Sequence, residues 1–368
     1  MSKNIAIIGA SYLQLPLIQK AKDMGYTTHV FAWAAGDVGE SLADHFYPIS
    51  IVEKEEILQK CKEIGICGIC SIASDLAMVT VNYVSEMLGL CGNSVRATEK
   101  STNKHLMRRA FEAHGDPSPK SILVDGNTDL SLLELEYPII VKPTDRSGSR
   151  GIFKLLDGKE LKSAVAHAIE QSFEKKALIE EFAQGKEYSV EFISYNGKHH
   201  FLALTEKFTT GAPNFIETGH MQPAAVSDET LERVKAIISH ALDTLELKNG
   251  ASHSEIKIAD DGSIRIIEIG GRMGGDCIGS DLVRYSTGYD FVKMVIQCAC
   301  GIEPVLEKVY EPHPVAVRFI FTEEDVREYE TLKEESPERL LQTVYLSLQN
   351  IGKTTDSSNR AGCYIYIP

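Results

Sequence analysis

The stretch Ser-Glu-Ile-Lys-Ile-Ala-Asp-Asp-Gly-Ser-Ile-Arg-Ile-Ile-Glu-Ile, residues 254–269, is the segment that most clearly predicts the fold of this chain. Two isoleucine-rich runs flank Asp-Asp-Gly at 260–262, which is the signal for a β-hairpin. We expect a two-residue turn with Asp261-Gly262 at its tip. In that register Glu255 and Glu268 are direct cross-strand neighbours, with both side chains on one face of the hairpin.

This predicted pair of glutamates suggests a metal site. Carboxylates directly opposite each other lie about 5 Å apart at Cβ, where two like charges repel. A bound cation removes that penalty, and two carboxylates suit Mg²⁺, which takes its remaining oxygen ligands from water and substrate phosphates. The alternative that the sequence leaves open is a solvated hairpin carrying two acids.

Length and composition narrow the class of protein. The chain has 368 residues, of which 43% are apolar and 24% charged, so it can form two or three domains with substantial cores. Its net charge of -14 argues against a nucleic-acid partner, because phosphate neutralisation needs basic patches. No apolar run approaches the length of a membrane span, and the first residues do not resemble a secretory leader. We therefore expect a cytoplasmic protein without a membrane partner.

Eight cysteines give no disulfide framework in a protein of this size, so we expect most to be reduced core residues. Cys67-Gly-Ile-Cys70 has the spacing of a redox motif. It lies, however, within a run of small apolar residues that is typical of a buried strand, so core packing is favoured over redox or metal chemistry.

The first part of the chain alternates apolar strands with amphipathic helices, which predicts a βαβ layout with a parallel sheet. Its first turn, Gly9 to Gln14, lacks the second and third glycines of the dinucleotide fingerprint, so a nicotinamide or flavin role is not favoured. Ser74 and Asp75 would sit at the carboxyl ends of the strands, where ligands bind, but capping of the next helix is the favoured interpretation.

A lysine and a glycine-rich loop could bind an anion in the middle of the chain. Lys142 ends the apolar run that starts at Tyr137, and Ser147-Gly-Ser-Arg-Gly151 can curl its N–H groups around phosphate oxygens. Taken singly, each feature favours the simpler interpretation, in which the lysine reaches solvent and the loop is a hairpin linker.

The order of motifs resembles the ATP-grasp superfamily over about residues 1–310. These motifs are a helix bearing Lys104, Tyr-Pro-Ile-Ile-Val-Lys142-Pro, the Ser/Gly loop, Ile-Glu180-Glu-Phe, Gly-Lys-Glu187-Tyr-Ser, the hairpin glutamates and Glu268-Ile-Gly-Gly-Arg272. The resemblance implies a mixed α/β and α+β fold. It would have a Rossmann-like preATP-grasp domain over 1–98, an ATP-grasp domain over 99–305 with a lid subdomain at about 117–190, and a small β-rich C-terminal α+β unit over 306–368.

The resemblance also implies a site that binds ATP with one or two Mg²⁺ ions, for which Mn²⁺ could substitute. The implied residues are Lys104 and Lys142 on the phosphates; Ser147, Gly148, Ser149 and Gly151 in a flap over the γ-phosphate; Glu180 with the backbone of Glu181 and Phe182 at the adenine; Glu187 at the ribose; Glu255 and Glu268 on the metal; and Arg272 on the transferred phosphoryl group.

Two positions qualify this resemblance. Many members carry an asparagine as a third metal ligand where this chain has Gly270, which puts a second metal site in doubt. The run from Gly270 to Asp276 is instead similar to the glycine-rich version of the amino-acid ligases. Asp276 could hold metal or substrate, or it could cap the next helix.

The function that the resemblance implies is an ATP-dependent carboxylate–amine ligase, which activates a carboxylate as an acyl-phosphate. We expect Arg272, Lys142 and His220 to be catalytic, and the loop 209–223 to select a small-molecule carboxylate and amine. In that loop Glu217 could hold an amino group and His220 could take a proton. A surface histidine without a special role is an equal alternative, and the resemblance allows a homodimer.

Two other functions stay open at this point. A purine-pathway or carbamoyl-phosphate type enzyme shares the same fold, but a ribosyl phosphate would favour more arginines than Arg96, the only one before Arg108. A non-catalytic ATP-binding module would be expected to lack the lysines or the metal-binding acids. This chain carries Lys142, Glu255 and Glu268, so turnover is favoured.

Overall fold

The computed structural model describes residues 3–146, 151–211, 216–354 and 360–368. Within these ranges the strands form three sheets, of four, eight and four strands. The parallel front sheet, the antiparallel sheets and their helices match the predicted mixture of α/β and α+β architecture.

The front unit is a four-stranded parallel sheet with strand order β3-β2-β1-β4. Its elements are β1 (Asn4–Ile8), α1 (Leu15–Asp23), β2 (Thr27–Phe31), α2 (Val38–Leu42), β3 (His45–Tyr47), α3 (Lys54–Ile64), β4 (Gly68–Cys70) and α4 (Asp75–Leu88). The central strand β1 is buried on both faces, as its unbroken apolar run predicts. Ser74 caps α4 by accepting a hydrogen bond from the N–H of Ala77.

The second unit forms a four-stranded antiparallel sheet, which we call the lid sheet, with strand order β5-β8-β6-β7. The chain first forms α5 (Val95–Thr102) and α6 (Lys104–His114). The lid unit itself contains β5 (Ser121–Val124), β6 (Ile139–Pro143), β7 (Phe153–Leu155), α7 (Leu161–Gln171) and β8 (Ala177–Glu181). Apolar residues of α7 pack on this sheet and give it a core of its own.

The largest sheet has eight strands in the order β13-β12-β9-β10-β11-β14-β16-β15, so the C-terminal strands extend it. Its segment of the chain contains β9 (Lys186–Tyr195), β10 (Lys198–Thr209), β11 (Glu217–Gln222), α8 (Asp228–Thr244), β12 (Gly250–Ile258), β13 (Ile264–Gly270), α9 (Val283–Thr287), α10 (Phe291–Ala299), β14 (Val315–Ile320), α11 (Glu323–Glu335), β15 (Leu340–Leu346) and β16 (Gly362–Tyr366). A π-helix, Ile278–Leu282, precedes α9, and three 3₁₀ turns lie at Leu130–Leu132, Pro337–Arg339 and Leu348–Asn350.

The hairpin formed by β12 and β13 has the predicted glutamate pairing but a different turn. The N–H of Ala259 donates to the carbonyl of Ser263 at 2.9 Å, so three residues rather than two form the turn, with Gly262 at φ +78°. This turn alone would shift the facing register by one residue. An irregularity between Glu255 and Ile256 restores it, and Glu255 faces Glu268 as predicted. The prediction of a two-residue turn was wrong, and a β-bulge compensates for the error.

The front unit packs tightly on the rest of the chain through α10. Residues of α10 belong to the same apolar core as the front sheet. A Cβ at Gly68 would lie 2.6 Å from the carbonyl oxygen of Ala299, so only glycine allows this approach of β4 to the end of α10. Across the described ranges, every helix is too short or too polar to cross a bilayer.

Candidate active site

One cavity brings together most of the predicted site residues. Its lining includes nine of them: Lys104, Lys142, Glu180, Glu181, Phe182, Glu187, Glu255, Glu268 and Arg272. They come from the lid sheet, the large sheet, the start of α6 and the segment after β13. The order of motifs therefore identified residues that are far apart in sequence and adjacent in space.

The remaining predicted residues are placed differently. Ser147, Gly148 and Ser149 lie outside the described residues. Gly151 adopts φ +69° but is not part of the cavity lining. His220 also lies outside the lining, because its ring is buried against Phe319 on β14.

Lys104 is the first residue of α6, and Asn103 caps that helix by accepting hydrogen bonds from two N–H groups of its first turn. The Nζ of Lys104 contacts Glu268 Oε1 at 2.7 Å and donates to the carbonyl of Arg146 at 2.8 Å. The lysine is buried, so its charge is directed into the cavity rather than toward bulk solvent. A phosphate could replace Glu268 as its partner.

Lys142 and Glu180 form a buried ion pair in the lid sheet. Lys142 Nζ lies 2.6 Å from Glu180 Oε2, and Arg108 Nε lies 3.0 Å from the other oxygen. Burial lowers the pKa of Lys142. Burial opposes the ionisation of Glu180, but Arg108 and Lys142 together lower its pKa. One carboxylate is thus held by two cations, which leaves net positive charge at the strand ends.

Arg108 also connects the lid sheet to the hairpin that carries Glu255 and Glu268. Its Nη2 donates to the carbonyl of Ile267 at 2.6 Å, next to the bulge in this hairpin. Because of the bulge, Ile267 is left out of the pairing between the two strands, and Glu268 lies opposite Glu255. No local sequence pattern pointed to Arg108, because its partners lie 72 and 159 positions away.

Glu255 and Glu268 provide oxygen donors that fit Mg²⁺. Each side chain is about one-quarter exposed and lines the cavity. Two facing carboxylates match the way proteins bind Mg²⁺, which completes its coordination with water and substrate phosphates. Among the residues that the structure describes, no three histidine, cysteine, aspartate or glutamate side chains form a metal-binding group.

Lys207 is a site residue that sequence reasoning missed. It is buried on β10, with its Nζ 2.6 Å from Glu255, 3.2 Å from Glu187 and 3.9 Å from Glu217. Burial alone would lower its pKa, but the three glutamates raise it, so the lysine stays charged at neutral pH. A lysine inside the apolar-rich run 201–208 was the available signal.

A second pair, His253 and Glu191, lies next to Glu255. His253 Nδ1 forms a short hydrogen bond with Glu191, which faces it on β9, and Glu191 also accepts a hydrogen bond from the N–H of Gly274 at 3.0 Å. His253 Nε2 lies 3.7 Å from Glu255. Burial opposes protonation of His253, but Glu191 and Glu255 raise its pKa. Burial also opposes ionisation of Glu255, yet Lys207 and His253 lower its pKa well below the ordinary value.

Arg272 is positioned by the front unit. Asp75, the first residue of α4, accepts two hydrogen bonds of 2.9 Å from Nε and Nη2 of Arg272. Burial would raise the pKa of Asp75, but Arg272 lowers it, so the pair is ionised. Ser74 caps α4, whereas Asp75 lines the cavity.

The same contact explains why residue 270 is glycine. A Cβ at Gly270 would lie 2.6 Å from Asp75 Oδ1 and 3.1 Å from Arg272 Nε. The Asp75 carboxylate therefore fills the space that a side chain at this position would need. The departure from the asparagine pattern has a physical reason in this chain.

The cavity also has an apolar end. Side chains of the lid sheet and of the bulged hairpin line it, together with Phe182 and neighbours: Ile140, Ile152, Ala183 and Ile267. The centroid of the Phe182 ring lies 3.6 Å from Lys154 Nζ and 4.8 Å from Lys257 Nζ. An apolar slot next to buried cations can hold a flat ring with an anionic tail.

Beside the cavity, Asp276 lies between His220 and a C-terminal arginine. His220 Nε2 lies 3.8 Å from Asp276 Oδ2, beyond hydrogen-bonding distance. Arg360 Nη1 contacts the same oxygen at 3.0 Å. Burial lowers the pKa of His220, and Asp276 only partly opposes this, so the ring is neutral at pH 7. Asp276 thus forms an ion pair with Arg360 instead of capping a helix.

Comparison with known proteins agrees with this geometry. Residues 135–281 match the ATP-grasp domain family. Alanine–anticapsin ligase from Bacillus subtilis is 28% identical over 309 residues, which cover 74% of this chain and 65% of that protein. The chain thus spans less than two thirds of this curated relative's length.

Solved structures share the fold over the whole chain. L-amino acid ligase from Bacillus licheniformis has a TM-score of 0.81 at 22% identity, covering 99% of this chain and 93% of that one. Phosphoribosylglycinamide synthetase from Anaerococcus prevotii has a TM-score of 0.79 at 22% identity, covering 100% and 94%. Residues 135–281 are thus similar to the ATP-grasp domain family, and the solved structures share the fold of this chain.

Proposed function

We propose that this protein is an ATP-dependent ligase that couples a small carboxylate, such as an amino acid, to an amine. The observation that carries the proposal is the arrangement of charges in one cavity. The cavity that contains the facing carboxylates Glu255 and Glu268 is also lined by three cations, Lys104, Lys142 and Arg272. An apolar slot lies next to them. This arrangement fits a nucleoside triphosphate and an acidic substrate at the same time.

The reaction follows from the charges. An oxygen of the substrate carboxylate attacks the γ-phosphorus of ATP, the bond to the β–γ bridging oxygen breaks, and ADP leaves. The amine then attacks the acyl carbon of the acyl-phosphate, inorganic phosphate leaves, and the nitrogen loses a proton. No protein nucleophile is needed, so the task of the protein is positioning and electrostatic stabilisation.

The chain's own residues would divide this work. Lys104 and Lys142 would exchange their present carboxylate partners for phosphate oxygens, and Arg272, fixed by Asp75, would stabilise the transferred phosphoryl group. When bound at Glu255 and Glu268, Mg²⁺ would supply charge neutralisation on the triphosphate. The segment 147–151 would exclude water from the acyl-phosphate.

The relatives favour an amino acid as one substrate. One curated relative is an alanine–anticapsin ligase. Glu217 lines the cavity, which supports the proposal that it binds a substrate amino group.

We further propose a cytoplasmic location, since all eight cysteines are free thiols. We also propose a homodimer, which rests on the resemblance alone.

The two rival functions gain less support. Phosphoribosylglycinamide synthetase shares the fold, but at 22% identity this likeness concerns the fold alone. A non-catalytic ATP-binding module would not need Arg272 held in a buried ion pair beside the metal-binding acids. A ligase has a use for the lysines, the facing acids and this arginine together.

The test is ADP release from Mg-ATP with pooled amino acids and pooled amines, with mass analysis of every reaction that responds. We expect release only when a carboxylate and an amine are both present, which the amino-acid pool alone can supply, together with a new amide mass. Glu268→Gln is the matched control, because it preserves the shape of the side chain and removes its charge. Nucleotide binding without turnover over broad pools would instead support the binding module.

A further inference from the structure

Arg360 is a fully buried arginine in the C-terminal part of the chain, outside the residues that match the ATP-grasp domain family. It lies two residues before β16. Its Nη2 donates to Glu217 Oε2 at 2.8 Å, and its Nη1 donates to Asp276 Oδ2 at 3.0 Å. One guanidinium thus connects two carboxylates that belong to different parts of the fold.

The burial of this charge requires such partners. An unpaired guanidinium would be expensive to bury, whereas two carboxylates and an aromatic face offset the loss of hydration. The centroid of the Phe319 ring lies 3.7 Å from the guanidinium carbon, and this contact helps to fix the guanidinium plane. The fork of the arginine is therefore held in one orientation, which in turn determines the positions of both carboxylates.

Both partners matter for the cavity. Glu217 lines it and lies 3.9 Å from Lys207, the lysine that contacts Glu255. Asp276 ends the glycine-rich segment that begins at Gly270, and it has φ +51°, a conformation that costs energy unless contacts support it. Arg360 thus holds one residue of the cavity wall and one strained residue next to it.

We propose that Arg360 is a positioning residue for the substrate end of the cavity, acting through Glu217 and Asp276. The C-terminal strands would then do more than extend the sheet, since they would supply the group that orients the substrate-binding acid. The inference rests on the proposed ligase function. It assigns Arg360 to substrate use and not to nucleotide binding, because its carboxylate partners are not the ones that contact Lys104 or Lys142.

The kinetic test compares wild type with Arg360→Lys, which preserves the charge but cannot bridge two carboxylates with a planar fork. We expect the KM for the amino-acid substrate to rise at least tenfold, with the KM for ATP within twofold of wild type. Asp276→Asn should show the same split, and it gives a second variant if the lysine substitution prevents folding. Arg327→Lys, on the exposed side of α11, is the control. Equal rises in both KM values, or no rise in either, would overturn the proposal.

A second measurement does not depend on activity. Crystal structures of wild type and Arg360→Lys should show the Glu217 carboxylate displaced relative to Lys207, with the C-terminal strands still folded. Unchanged positions of Glu217 and Asp276 would refute the positioning role. If wild type couples no carboxylate to any amine, the ligase proposal fails by itself, and the structures alone decide the role of Arg360.

Discussion

At the scale of single residues, the site is organised by pairs that join distant parts of the chain. Asp75 and Arg272 are 197 positions apart, and their contact accounts for the absence of a side chain at Gly270. Lys207 and Glu255 are 48 positions apart, and they lie on strands that are not neighbours in the sheet. Such pairs cannot be read from local sequence patterns, because they are set by the fold.

Gly270→Ala tests the first pair. The new methyl group would need to lie 2.6 Å from Asp75 Oδ1, so it should displace the carboxylate and release Arg272. We expect kcat/KM to fall roughly 100-fold, as for other small misplacements of a catalytic group. Gly275→Ala is the matched control, because its Cβ would meet Ala73 only at 3.5 Å. Similar steady-state rates in the two variants would contradict this explanation.

Lys207→Met tests the second pair through stability. Removal of the lysine leaves Glu187, Glu217 and Glu255 without their shared cation, and loss of one partner of a buried pair costs about 3–5 kcal/mol. The control Lys186→Met removes an exposed lysine 3.0 Å from Glu206, for which about 1 kcal/mol or less is expected. The measurement is urea unfolding of both variants. Equal losses would show that burial does not distinguish the two lysines.

The burial of His220 predicts that the free energy of unfolding of the protein depends on pH. Burial lowers its pKa below the ordinary value of 6.5, so the unfolded chain takes up a proton more readily than the folded chain as the pH falls. The contribution of the neutral ring to stability is therefore complete above pH 6.5. It is lost progressively as the pH falls from 6.5 toward the pKa of the folded state.

His220→Gln should flatten the thermal-stability profile between about pH 7 and pH 5, the range in which an ordinary histidine titrates. His240→Gln is a control of opposite sign, because Asp116 raises the pKa of His240 and its contribution is lost as the pH rises. A His220→Gln profile parallel to that of wild type would argue against a neutral, buried ring.

At the scale of elements, the hairpin shows how far the sequence could lead. Its alternating pattern and its acidic turn predicted the pairing of Glu255 with Glu268. The loop length and the bulge were not predicted, and the bulge lies where Arg108 contacts the carbonyl of Ile267. The lysines, acids and arginine of the site followed from the order of motifs, whereas Arg108, Lys207 and Arg360 did not, because each acts through partners set by tertiary structure.

The turn itself allows a test. Gly262 has φ +78° and only the Arg233 side chain near the position of a Cβ, at 3.5 Å, so Gly262→Ala should destabilise the protein by about 1 kcal/mol through backbone strain alone. Gly126→Ala is the matched control, since that glycine has neither a close neighbour nor a positive φ. Thermal unfolding of the two variants measures the difference. If both behave alike, the three-residue turn is not the native one.

At the scale of the whole molecule, parts of the chain that the family match does not include complete the cavity. The front unit supplies Asp75, and the C-terminal segment supplies Arg360, which holds Glu217 at the cavity wall. The front sheet shares an apolar core with α10, and Asp75 begins the helix α4 of that front unit. The division into three units stays a prediction, and the C-terminal strands extend the large sheet. The contributions of Asp75 and Arg360 to one site were not predicted.

We propose that this cavity activates a carboxylate by transferring a phosphoryl group to it. The most direct measurement is a single turnover with the ¹⁸O-labelled carboxylate substrate, followed by mass analysis of the released phosphate. We expect one ¹⁸O atom in the phosphate, because the carboxylate oxygen that attacks the γ-phosphorus leaves with it. Unlabelled phosphate, with both ¹⁸O atoms retained in the recovered carboxylate, would contradict the claim.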